Sequence, residues 1–137
     1  IAEIRRCNDA IPGEEISGKI TRMELIIRRI FERAQAHPEI VPDLKKLMDY
    51  YLPMTVKLLN AYADMDAQPV QGETIRSSKK EIEATLDTLN LAFEKLLDDL
   101  FEDTAMDVSS DISVLNTLLA QEGLTDDELS KLKKREI

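Results

Sequence analysis

The chain has one cysteine, one histidine, four glycines, no tryptophan and no long apolar run among its 137 residues. Each shortage closes a class of answer. Lone Cys7 cannot form an internal disulfide, so the chain must be held by its core and a reduced compartment is expected. His37 has no second histidine or cysteine with which to build a His-based metal site. The glycines, Gly13, Gly18, Gly72 and Gly123, fall in no G-x-G-x-x-G or Walker arrangement, so no phosphate-cradling loop is present, and no G-x-S-x-G elbow occurs either. No stretch of about 18 apolar residues exists to span a bilayer, and no leader peptide is visible. The chain starts at Ile1 rather than Met, so a longer parent carrying a membrane segment ahead of it is an expectation.

Positive charge is also scarce. With 27 acidic and 18 basic side chains the net charge is −9, which argues against nucleic acid or an anionic lipid surface as a direct partner. What is present is apolar periodicity: 43% of residues are hydrophobic and 33% charged, the balance of an all-α protein with a solvated outer face. A length of 137 residues predicts a single domain covering residues 1–137.

The central stretch runs from Asp43 to Asp66. At about 100° per residue, Leu44, Leu47, Tyr51, Thr55, Leu58, Tyr62 and Met65 share one stripe, with Met48, Leu52 and Leu59 on its flank. Pro42 fits the first helical position, and Pro53 is expected to bend the helix over the core. Upstream, Ile1, Ile4 and Cys7 read as a short peripheral helix within residues 1–11. Ile16, Ile20, Met23, Ile27, Ile30 and Ala34 then alternate steps of four and three, predicting a helix of about six turns from Glu14. Leu25 lies opposite that stripe and Ile26 beside it. Surface leucine is favoured there over a partner contact. Arg28, Arg29 and Arg33 suit a helix C-terminus, and His37-Pro38 closes the segment.

After the linker Ala67–Gly72, Thr74 is a candidate N-cap, and Ile75, Ile82, Leu86, Leu89, Phe93, Leu96 and Leu100 form the third stripe. Lys79, Lys80, Glu83 and Asp87 read as its solvated face. The stripe changes phase near Phe101, and Val108-Ser109-Ser110-Asp111 offers a restart, which favours a break there over one helix to Gln121. Gly123 with Leu124 suits a Schellman ending, and Thr125 with Glu128 a capping box for a short last helix over residues 125–137. The expected fold is all-α: three long antiparallel helices, the central one bent at Pro53, with a shorter C-terminal helix or helices packed on the third.

Candidate chemistry is thin. Asp98, Asp99, Glu102, Asp103 and Asp107 form i, i+4 carboxylate pairs, but they flank Leu100 on the polar side without a Glu-x-x-His partner, so a solvated acidic face is the favoured reading. Cys7 and His37 make a weak dyad thirty residues apart. Tyr51 and Tyr62 are assigned to the core. Tyr50 and Lys57 are a possible polar patch beside Met54, with core packing favoured. No catalytic residue is assigned, and neither a metal nor a cofactor is expected.

At Tyr50–Tyr62, YYLPMTVKLLNAY, the sequence resembles the XpaC-like family, named for 5-bromo-4-chloroindolyl phosphate hydrolysis. GKITRMELIIRRIFE from Gly18, IEATLDTLNLAFEKLLDDLFED from Ile82 and DISVLNTLLAQEGL from Asp111 extend the resemblance over about residues 14–124. Met54 departs from the threonine expected after the proline. The resemblance implies a helical domain on the cytoplasmic side, behind an N-terminal membrane segment in the parent, and a link to toxic-anion (tellurite) resistance. Two functions are open: a non-enzymatic scaffold that binds a protein partner or itself, and a phosphoric ester hydrolase as the family name implies. The missing nucleophile and metal cluster favour the first.

Overall fold

A computed structural model describes residues 1–11 and 13–124, and every regular element among them is helical. The capping box at Thr125 and Glu128 lies outside the described residues. The chain divides into two compact units, Ile1–Leu100 and a second beginning at Phe101.

In the first unit, α1 (Ala2–Ala10) and α2 (Glu14–Ala36) lead into a 3-10 helix (Pro38–Leu44), a π-helical turn (Leu47–Tyr51), α3 (Leu52–Asp66) and α4 (Glu73–Asp99). The α2 stripe is as expected: Ile16, Ile20, Met23, Ile27 and Ile30 are all buried, and Ala34 is half-buried. That face packs against α4, which returns Ile82, Leu86 and Phe93 to the same core. α1 is not peripheral, because Ile4, Cys7 and Ile11 are buried where it packs on α2 and α3. Ile26 is buried rather than surface apolar area, whereas Leu25 is exposed.

The central stretch departs from an ideal α-helix. Pro42 lies inside the 3-10 turn rather than at the first position of a helix. From Lys45 the backbone stays right-handed helical through Asp66, so Pro53 is within a continuous helical path, second residue of α3. Pro53 has no N–H to give and its ring crowds the preceding turn. The wider π-turn accommodates it: the Leu52 N–H reaches back to the Leu47 carbonyl, and the Thr55 hydroxyl donates to the Tyr51 carbonyl at 2.7 Å. The extra residue in that turn rotates everything downstream by about a quarter turn relative to 3.6 residues per turn. Leu44 and Leu47 before it, and Thr55, Leu59 and Tyr62 after it, therefore fill the core. Tyr51 does not. The core assignment of Tyr51 fails because it counts at constant α pitch through a stretch that does not keep it.

Gly72, not Thr74, caps α4, and it does so without a side-chain bond. The break after α4 falls at Leu100–Phe101, and α5 (Glu102–Gln121) runs unbroken through Val108–Asp111. Ser113 and Thr117 return their hydroxyls to the carbonyls of Ser109 and Ser113, which satisfies them inside a helix without capping one. The Schellman ending is present: Gly123 has φ 75°, its N–H reaches the Ala120 carbonyl, and the Leu124 N–H reaches the Leu119 carbonyl.

Candidate functional site

Residues with chemistry are mostly engaged in structure. The Cys7 thiol is buried and donates to Asn60 Oδ1 at 3.2 Å. Burial first, and the Glu3 carboxylate to a lesser degree, raise it above the ordinary thiol range against the opposing charge of Arg6, which keeps it a neutral, unreactive group. His37 faces Glu39 at 3.1 Å, so the Cys7–His37 dyad is not assembled. Tyr62 is core, as expected, and its hydroxyl donates to Glu83 at 2.6 Å. Burial, then that bond to a carboxylate, hold its proton far above the ordinary value of 10.0. Lys79 lies 5.5 Å above the Tyr62 ring and donates to Asp66 at 2.7 Å and Gln71 at 3.2 Å. Lys79 and Glu83 thus tie α4 to α3 instead of forming a solvated face.

Sequence reasoning missed Glu24. It is buried, and its carboxylate accepts from Arg5 at 2.6 Å and from Arg28 at 2.9 Å, joining α1 to α2. A single acid among apolar neighbours carries no periodic signal, so only the fold identifies it. The Asp98–Asp107 carboxylates do not form a cation site. Asp99 pairs with Lys95 at 3.1 Å, and among the described residues no three His, Cys, Asp or Glu side chains are grouped to hold a metal.

Two surfaces remain. The first is an open cleft of about 490 Å³ between α2 and α4, lined by Glu15, Gly18, Lys19, Arg22, Asp87, Asn90, Leu91 and Glu94. Its cations are already spent: Lys19 donates to Asp87 at 2.9 Å, and Arg22 pairs with Glu94. The bond to Asp87 raises the Lys19 pKa and keeps it charged. Asn90 is buried, donating to the Lys19 carbonyl at 3.1 Å. Chemically the cleft offers two neutralised cations and three carboxylates, with no hydroxyl or thiol placed to attack.

The second surface surrounds the π-turn. Met48, Tyr50, Tyr51 and Met54 are 50%, 62%, 42% and 40% exposed, and the two tyrosine rings meet edge to face at 5.7 Å. Core packing of Tyr50 is thereby corrected along with that of Tyr51. On one side an apolar cleft of about 470 Å³ is lined by Phe31, Ala34, Gln35, Val41, Leu44 and Met48. On the other, Pro42, Asp43, Lys45, Lys46, Asp49 and Tyr50 line a charged one of about 450 Å³. Large apolar and aromatic side chains displayed beside a π-turn, a distortion frequent at functional sites, make a surface for recognition rather than for bond cleavage.

No helix among the described residues is long and apolar enough to cross a membrane. Comparison with curated proteins and with solved structures gives no match. The family model described as "5-bromo-4-chloroindolyl phosphate hydrolysis protein" matches residues 1–115, which takes in α1 as well as the regions whose resemblance the sequence shows. The chain therefore belongs to the 5-bromo-4-chloroindolyl phosphate hydrolysis protein family, the XpaC-like proteins.

Proposed function

We propose that this chain is a non-enzymatic helical interaction domain that binds a protein through the surface around its π-turn. One observation carries the reading. The run most specific to the family, Tyr50 to Met54, spends its large side chains on the surface instead of the core. Exposed Tyr and Met are the residues interfaces enrich, and a tyrosine left in solvent contributes little to folding. The net charge of −9 agrees with a protein partner or a second copy rather than nucleic acid. A parent tethered to a membrane, with this domain on its cytoplasmic side, and a role beside toxic-anion (tellurite) resistance proteins are the setting the resemblance supports.

The hydrolase reading has one feature in its favour besides the family's description, the Lys19–Arg22 pair in the α2–α4 cleft. A phosphate ester would sit there only after Asp87 and Glu94 released both cations, and the cleft supplies no nucleophile. The discriminating experiment is an assay of the purified chain on 5-bromo-4-chloroindolyl phosphate, with and without added divalent metal. No turnover above buffer is expected. Turnover that Lys19→Ala and Arg22→Ala abolish in a folded protein would replace the interaction reading with the enzymatic one.

A further inference from the structure

Two apolar surfaces of the chain stand open. α5 buries none of its residues, although Ala105, Val108, Ile112, Leu115 and Leu119 recur at helical spacing along one face. A single helix has no means of covering its own stripe, and most helical stability comes from covering it. The other surface is the cleft between the end of α2 and the 3-10 segment, where Phe31, Val41, Leu44 and Met48 line an apolar trough.

Charge matches the two. Lys45 and Lys46 are exposed beside the trough, and among the described residues neither has a carboxylate within ion-pair distance. α5 has four acids and no base, and three of them, Asp103, Asp107 and Asp111, are four apart and form an edge along one side of the stripe. Apolar face meets apolar trough, and acidic edge meets basic edge. We propose that α5 of one copy lies in the Phe31–Met48 trough of a second copy, with the exchange made reciprocally in a two-fold dimer. The proposal rests on the interaction reading and names a second copy as the partner. Both surfaces occur once on every chain, so two reciprocal contacts close the assembly and leave none for a fibre. The mutual repulsion of two chains of −9 does not prevent this, because it is screened beyond roughly 8 Å at physiological salt, while ion pairs at contact are screened much less.

The test is light-scattering mass of the whole chain across a micromolar concentration series. The parent is expected to rise from 15.6 kDa toward twice that mass. Lys45→Glu with Lys46→Glu, and separately Asp107→Lys with Asp111→Lys, should each weaken association at least tenfold while circular dichroism and melting stay those of the parent monomer. Mixing the two reversed variants should restore a dimer, since each helix then meets an opposite charge. A parent monomeric throughout, a dimer indifferent to both reversals, or a mixture that fails to associate overturns the proposal; docking of α5 within its own chain would produce the last. If the parent stays monomeric while a photo-crosslinker at position 51 captures a different protein, the interaction reading stands and this partner is wrong. If position 51 captures nothing while the charge-dependent dimer forms, the fault lies in placing the interface at the tyrosines.

Discussion

α2 and α5 are helices of similar length, 23 and 20 residues, each with an apolar stripe at steps of three and four. α2 buries Ile16, Ile20, Met23, Ile26, Ile27 and Ile30, and α5 buries nothing. Periodicity says which face of a helix needs cover; it does not say what supplies it. α2 finds that cover inside its own unit, on α4 and α1. α5 is left with a stripe and an acidic edge, which are the attributes of a ligand for a groove.

Truncating a core residue should separate the two helices most sharply. Ile27→Ala, at a fully buried site, should lower stability by about 2 to 5 kcal/mol. Leu115→Ala in α5, at a concentration where the chain is monomeric, should change it by no more than about 0.5 kcal/mol. Denaturant melts read both. Equal losses would mean that α5 is part of the folding core.

Within the first unit the ties from α3 to α4 are next in size. Tyr62→Phe removes the hydroxyl bond to Glu83 and should cost about 1 to 2 kcal/mol. It carries a pH signature. The folded state holds the Tyr62 proton well above 10.0 while the unfolded chain releases it near that value, so the unfolded form gains stability by ionising. Stability should therefore fall as pH rises through 10, and that part of the fall should be missing in Tyr62→Phe. Thr55→Val, which takes the hydroxyl from the Tyr51 carbonyl, should cost about 1 kcal/mol. Tyr51→Ala, half in solvent, should cost less still, under about 1 kcal/mol. The series inverts what an unbroken α-pitch through residues 43–66 would give, where Tyr51 would rank first.

That inversion marks where the sequence is readable and where it is not. The α2 stripe, Ile82, Leu86 and Phe93 of α4, and the Gly123 ending follow from spacing and from one residue's tolerance of positive φ, both local properties. The π-turn depends on how Leu52 and Thr55 settle the backbone groups around Pro53, and a wheel at fixed pitch cannot contain it. One misplaced residue there moved Tyr51 from surface to core. The break at Leu100–Phe101 escaped notice for a related reason: serines and an aspartate can cap a helix or sit inside one, and only the carbonyls of Ser109 and Ser113 decide it. Glu24 with Arg5 and Arg28 joins residues 19 and four apart in sequence, which no local pattern announces. Of the candidate site, the YYLPM run was legible as distinctive, but its outward orientation was not.

The most direct measurement places a photo-crosslinking amino acid at position 51 in the full-length protein in its own cells, with position 91 as control. Leu91 is an exposed apolar residue on the α2–α4 cleft, 68% exposed against 42% for Tyr51, so chance encounters favour the control. The account predicts a discrete protein adduct from position 51, either a second copy or another chain, and none from position 91. Adducts of equal yield from both positions, or from position 91 alone, would contradict it and move the functional surface to the cleft of Lys19 and Arg22.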